Sequence, residues 1–239
     1  MVLGAVLLAG CAAPPGAIGG TRNHHVLILP GIGGSSPGLR ALSREITATG
    51  AAVDMDAAVW DWTRVESPVS LFGLPNITNH PRNVRRAERL AAEIVTWQQQ
   101  HPDRRLTLMG HSGGGGMALM AVERLPPGAS VNLERVVLLS PAVSPCRDLS
   151  PVLRRTRNGI FNYHSRADRF ILHLSTRIFG TMERERTAAA GCVGFARCDP
   201  RVEELCWTRS MIRHGNRGGH FGAFRIPFAR RFILPELTE

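Results

Sequence analysis

Apolar residues in this chain come in short continuous blocks separated by longer stretches where they recur every three or four positions. The block at 25–30, ending Leu29-Pro30, has strand length and is stopped by proline and glycine. Leu39, Leu42 and Ile46 then recur at helical spacing, which predicts a helix over 39–49. A second strand is predicted over 52–60, followed by a loop rich in Pro and Asn over 63–83. The clearest helix is 84–100. Ala87, Leu90, Ala91, Ile94 and Val95 fall on one face, with the arginines and Gln98, Gln99 and Gln100 mainly elsewhere. Further strands are predicted over 106–109, 136–139, 160–163 and 206–212. Helices are predicted over 115–125 and over 221–233, the last broken by Pro227. The 136–139 block is wholly apolar, as a central parallel strand should be.

Strands that alternate with helices of this length imply right-handed crossovers. The fold class is therefore α/β: a mostly parallel central sheet with helices on both faces, in a three-layer sandwich. In open sheets of this kind ligands bind beyond the carboxyl ends of the strands, so chemistry is to be sought in the loops that follow them.

Composition adds little to the fold and more to the partners. The 239 residues are 44% hydrophobic and 20% charged, which suits one globular domain with a sizeable core. The net charge of +10 would ordinarily suggest nucleic acid or an anionic membrane. Every basic residue is arginine, however, a bias that a GC-rich genome imposes, and the arginines are scattered, with groups no denser than pairs such as Arg85-Arg86. They are read mainly as a solvated surface, an anion-facing or membrane-facing patch being the alternative. No stretch interleaves aromatic and basic residues, so nucleic acid is not expected as a partner.

Residues 1–10 form an uncharged apolar run, shorter than the roughly 20 residues that span a bilayer. They end in Leu8-Ala9-Gly10-Cys11, followed by small residues and prolines. This resembles the lipobox of bacterial lipoproteins, in which the cysteine is lipidated and becomes the new N-terminus. The resemblance implies a signal peptide at 1–10, a lipid on Cys11, a tether at 11–22, a domain at 23–239, and membrane attachment in the cell envelope. The run departs from the usual signal in having no Arg or Lys before it. An ordinary cleaved signal and a frayed terminus are the competing readings. Without Cys11 four cysteines remain, Cys146, Cys192, Cys198 and Cys206. In an oxidising compartment they are expected to form two disulfides, with free thiols as the alternative. Their spacing is not that of a zinc site.

Gly110-His111-Ser112-Gly113-Gly114 matches G-x-S-x-G and stands directly between a predicted strand and a predicted helix. A nucleophilic serine on a strained strand-to-helix turn needs small neighbours, and four glycines follow Ser112. From this motif the chain resembles a small member of the α/β-hydrolase superfamily over roughly 23–237. The resemblance implies ester or related acyl hydrolysis through an acyl-enzyme, with no cofactor and no metal. Leu29-Pro30-Gly31-Ile32-Gly33-Gly34 stands where that family carries its oxyanion loop, although Pro30-Gly31 replaces the usual His-Gly. The implied oxyanion donors are the amides of Ile32 and Gly113. The family order of nucleophile, acid and histidine puts the acid at Asp168, three residues after Ser165. A helix cap is the competing role there.

The implied base is His220, set among glycines before the last helix, with His214 as its rival. His111 is expected to pack on the sheet or line the pocket, and His24 and His25 to be structural or exposed. Asp61 is expected to cap its turn rather than line the pocket. The loop 64–81, with Val69, Leu71, Phe72, Leu74 and Ile77, is the candidate wall or small lid. The expected substrate is a small-molecule or lipid ester. An alternative from another class is an envelope lipoprotein that uses the same fold as a non-catalytic binding module.

Overall fold

The computed structural model of the chain describes residues 18–63, 79–168, 182, 187–197 and 199–238. Six strands form one sheet: β1 (His24–Leu29), β2 (Met55–Val59), β3 (Arg105–His111), β4 (Leu133–Leu139), β5 (Ile160–His164) and β6 (Val202–Cys206). Their order is β2-β1-β3-β4-β5-β6, and every neighbouring pair is parallel. β1, β4 and β5 are buried along their whole length, so alternate side chains feed two separate cores. Leu27, Leu29, Leu108, Val136 and Leu138 face one core, and Val26, Ile28, Met109, Val137 and Leu139 face the other.

Helices cover both faces, as the alternation of elements predicts. On one face lie α1 (Pro37–Thr49), which buries Leu39, Leu42 and Ile46, and α6 (Ile226–Phe232), which buries Phe228 and Ala229. On the other lie α2 (His80–Gln100) and α3 (Gly113–Glu123). α3 is buried along almost its whole length, which is why its sequence is apolar all round rather than amphipathic. Two single-turn helices, α4 (Ser150–Leu153) and α5 (Ala190–Val193), follow β4 and precede β6.

Three local expectations are corrected. α2 begins at His80, ahead of the expected 84, because the Asn79 side chain accepts the Arg82 amide at 3.1 Å and Pro81 occupies the first turn. There its missing N–H costs nothing. The sixth strand is Val202–Cys206 rather than 206–212, and Arg209–His214 is a 3-10 helix. β6 is an edge strand whose consecutive Glu203 and Glu204 are both exposed, on opposite faces of the sheet, so it carries no apolar block for the pattern to reveal. Pro227 starts α6 instead of breaking a longer helix, and a separate 3-10 turn, Gly222–Phe224, precedes it.

The cysteine expectation is corrected as well. Among the described cysteines there is no disulfide: Cys146 and Cys206 are exposed thiols and Cys192 is buried. The two exposed ones are held by their own neighbourhoods. The Cys146 amide donates to Ser144 Oγ at 3.2 Å, and Cys206 ends β6 with its thiol 3.7 Å from the Trp207 carbonyl oxygen. Cys11, Cys198 and nearly all of the expected 64–81 wall lie outside the described residues, as does the 1–10 signal. Residues 18–22 lie against the domain: Arg22 donates to the carbonyls of Thr47 and Met55 at 2.7 and 2.6 Å, and Ile18 packs on the core. No helix among the described residues is long and apolar enough to cross a membrane.

The strand order sets the position of a site. From β1 the chain goes to β2 on one side and then to β3 on the other, so the loops leaving β1 and β3 diverge. That divergence is the topological switch point of an open parallel sheet, where a crevice opens at the strands' carboxyl ends. The Gly31-Ile32 loop follows β1 and Ser112 follows β3, so both stand at its edge.

Candidate active site

Ser112 occupies the single residue between β3 and α3, with φ 53° and ψ −123°. A non-glycine residue in this region is strained and persists only where its surroundings hold it. The surroundings here are three backbone hydrogen bonds. The Ser112 amide donates to Leu139 O at 3.1 Å, and its carbonyl accepts from the amides of Gly115 and Ala142, each at 3.0 Å. The outer glycines of the motif are steric requirements of the same turn. A methyl group on Gly110 would fall 2.5 Å from Gly114 O, and one on Gly114 would fall 2.2 Å from Leu29 O. β3 and α3 therefore close on each other and on the end of β1 only without side chains at these positions.

The loop after β1 packs against this turn. The Gly34 amide donates to Gly31 O at 2.9 Å, and Trp62 Nε1 donates to Pro30 O at 2.7 Å. Gly31 is so close that a methyl there would meet Ser112 Cβ at 3.3 Å, and one on Gly113 would meet Ile32 Cγ2 at 2.7 Å. Ile32 and Gly113 thus flank Ser112. The Gly113 N–H belongs to the first turn of α3, where no intrahelical acceptor exists. Asp61 caps its turn, as expected: its Oδ1 accepts from the Thr63 amide at 2.9 Å and the Thr63 hydroxyl at 2.6 Å. It also takes the Ser35 amide at 3.4 Å, which joins the loops after β1 and β2.

The structure brings Asp168 and His220 together. Asp168 sits on a tight turn after β5, its amide donating to Ser165 O at 3.1 Å. Its Oδ2 lies 2.6 Å from His220 Nδ1, and both side chains are buried. His220 in turn is packed on His111, the residue before Ser112, with ring centroids 4.5 Å apart. His111 Nε2 donates to the His220 carbonyl oxygen at 3.0 Å. Burial, and the nearby His220 ring, hold the His111 pKa well below the usual imidazole value. His111 therefore stays neutral and serves as a buried donor to the backbone of His220. His214, the rival base, packs edge-on against Phe232 and receives the Arg213 Nε–H at 3.3 Å. His24 and His25 are buried in β1.

Four residues that position the His220 loop escaped the sequence reading. Asn216 Nδ2 donates to the Tyr163 hydroxyl at 2.7 Å, while Asn216 Oδ1 accepts the Gly218 amide at 2.8 Å. Ser165 Oγ donates to Gly218 O at 2.7 Å, and Trp207 Nε1 donates to Asn216 O at 3.0 Å. The acid loop and the histidine loop are thereby stitched together around the Asp168–His220 bond. Burial pushes the Tyr163 phenol up to about 12, so it remains a neutral partner. The signal in the sequence was Asn216 itself, a residue type that fixes tight turns by bonding its own backbone, set between glycines. Among the described residues no three His, Cys, Asp or Glu side chains cluster as metal ligands would.

No family model matches the sequence, and no curated protein matches it. Solved structures do. A dienelactone hydrolase-like promiscuous phosphotriesterase from metagenomic libraries is 16% identical with a TM-score of 0.50, over 92% of this chain and 88% of its own. A predicted CIB-like hydrolase from Thermoplasma acidophilum is 13% identical, also with a TM-score of 0.50, over 91% of this chain and 87% of its own. At these identities the likeness is one of fold. The chain has the α/β-hydrolase fold, with a six-stranded parallel sheet and helices around it.

Proposed function

We propose that the chain is a serine hydrolase that cleaves carboxylic esters through an acyl-enzyme. The observation that carries this reading is the convergence at the ends of β3 and β5. Ser112 sits on a strained turn next to His111, the His111 ring packs on the ring of His220, and His220 Nδ1 is bonded to the buried Asp168. In the proposed reaction His220 takes the proton from Ser112 Oγ as the oxygen attacks the ester carbon. Asp168 holds the imidazole in one tautomer and stabilises the imidazolium. The amides of Ile32 and Gly113 hold the developing oxyanion, a contribution worth roughly 2.7–4 kcal/mol per donor in such sites. The bond to the alcohol oxygen then breaks, with the proton returned by His220. Water, activated by the same histidine, releases the acid and regenerates Ser112.

Similar structures that are hydrolases support the reading through the fold they share with this chain. Labelling with a fluorophosphonate tests it: the expected result is one adduct, on the peptide containing Ser112, lost in Ser112→Ala. A folded protein that neither labels nor hydrolyses p-nitrophenyl butyrate would favour the binding-module alternative. The envelope location belongs to the same proposal. Mass spectrometry of the mature protein should find a lipidated Cys11 at its N-terminus, and an unmodified Met1 would refute the anchor.

A further inference from the structure

Beside His220 a cleft of about 890 Å³ opens between the start of α1 and the segment 212–225. Its apolar lining is Ile212, Phe221 and Phe224. Phe221 and Ile212 are 53% and 46% exposed, so this cleft gathers two of the large apolar side chains that the fold leaves in water. Its charged lining is Arg217 and Arg225, and no carboxylate lines it. Some of the other arginines meet acids: Arg135 bonds Glu203 and Glu236, Arg147 bonds Glu123, and Arg230 bonds Glu45. Arg217 and Arg225 have no ion pair or hydrogen bond through their side chains among the described residues. The Arg225 stem passes over Gly215, where a methyl group would meet Arg225 Cβ and Cγ at 3.6 and 3.8 Å.

Two like charges lining one concave wall repel each other and focus a positive potential into it, and the low-dielectric aromatic surface between them strengthens that potential. Among the described residues no acid pairs with either charge. An apolar wall with convergent polar groups is the composition of a ligand pocket rather than of a solvated surface. From these observations we propose that the cleft is a substrate subsite for an anionic group, held by Arg217 and Arg225, with the intervening apolar segment of the substrate on Phe221, Phe224 and Ile212. The proposal rests on the esterase reading and names its substrate class: esters in which a short apolar chain separates the scissile bond from a carboxylate or phosphate.

Two measurements on the full chain separate the subsite from the esterase reading. In the first, Ser112→Ala protein is titrated calorimetrically with hexanoate, hexyl phosphate and 1-hexanol. The anions are expected to bind roughly tenfold or more tightly than hexanol, the scale of a charge-assisted hydrogen bond. Adding Arg217→Ala and Arg225→Ala should erase the difference, and adding Arg217→Lys and Arg225→Lys instead should retain part of it. Either anion bound more tightly than hexanol supports the site, and the tighter of the two names the group. Anions bound no better than hexanol overturn it. In the second, kcat/KM is compared between mono-p-nitrophenyl glutarate and p-nitrophenyl butyrate. The ratio should favour the anionic ester by roughly tenfold and fall to near one in the double alanine variant. Equal turnover of both esters by the unaltered protein overturns the subsite and leaves the esterase standing. Tight anion binding without turnover of either ester overturns the esterase reading and leaves the subsite.

Discussion

Two buried histidines in this molecule each meet an aspartate through Nδ1 at 2.6 Å, one at each end of the sheet. His25 and Asp56 are register partners where β1 and β2 begin. Asp168 and His220 lie on loops beyond the carboxyl ends of β5 and β6. The first pair is closed. Asp56 also takes the amides of Thr21 and Arg22 at 2.7 and 3.3 Å, the His25 ring packs by Trp97, and His25 Nε2 is buried without a partner. The second pair packs on His111, the residue before the strained Ser112, and has a cleft beside it. A short His–Asp bond is therefore not a site in itself. Parallel strands send the loops that follow them, and with them Ser112 and the cleft, to one end of the sheet.

The strongest way to break this comparison is to remove each histidine. His220→Ala should lower kcat on p-nitrophenyl butyrate by at least roughly a thousandfold, because members of a catalytic unit fail together. Its melting temperature should change little. His25→Ala should do the reverse. It strands Asp56 in a buried site, at a cost on the order of 3 kcal/mol, and each kcal/mol lowers the melting temperature of a chain this size by about 2–4 °C. Its activity at temperatures where it is folded should stay within a few-fold. Loss of turnover in folded His25→Ala protein would erase the distinction.

The aspartates sharpen it next. Asp168→Asn should lower kcat by about 10²–10⁴-fold, by allowing the wrong imidazole tautomer. Asp56→Asn should instead change stability against acid. Burial pushes the Asp56 pKa up, but the bonds from His25 and from the Thr21 and Arg22 amides outweigh it and hold it at about 2. A carboxylate depressed on folding stabilises the native state above its unfolded pKa of about 3.9, and that contribution is lost as pH falls toward about 2. His24 acts in the same direction over a higher range. Its folded pKa is lowered to about 4 by burial, so stability is lost as pH falls from about 6.5 toward that value. Urea unfolding between pH 2 and 7 should show both declines in the unaltered protein. In Asp56→Asn only the lower one should flatten.

The smallest effect separates the two histidines nearest to His220 in space and in sequence. His111→Phe keeps a ring against Phe221 and Phe224 but removes the donor to the His220 carbonyl. A loss in kcat of about tenfold, with KM nearly constant, is expected from one buried hydrogen bond. His214→Ala should remain within about twofold, as a rim contact on Phe232. If His214→Ala abolishes activity and His220→Ala does not, the base has been assigned to the wrong residue.

How much of this was legible depends on how far apart in sequence the interacting groups lie. The alternation of apolar blocks and helical spacing determined the α/β class, and most of the strands and helices appeared where the pattern put them. The G-x-S-x-G turn was legible in part for a local reason: Gly110 is demanded by the immediately adjoining helix, whereas Gly114 answers to the end of β1, far away in sequence. The edge strand β6 was misplaced because both of its faces are partly in water, so Val202–Cys206 carries no apolar block.

Which groups meet across long stretches of chain was a different matter. His111 and His220 are 109 residues apart, Tyr163 and Asn216 are 53 apart, and His25 and Asp56 are 31 apart. No local period encodes such pairs, since each depends on the order β2-β1-β3-β4-β5-β6 that puts β1 beside β2 and β5 beside β6. The sequence by itself determined the elements and offered the serine, the aspartate and two candidate histidines. The tertiary structure alone decided that Asp168 bonds His220 rather than His214, that His111 supports the backbone of His220, and that a second His–Asp pair is buried at the opposite end of the strands. The physical reason is that periodicity records which face of an element is buried, whereas side-chain partners follow from where the packed strands place the ends of their loops.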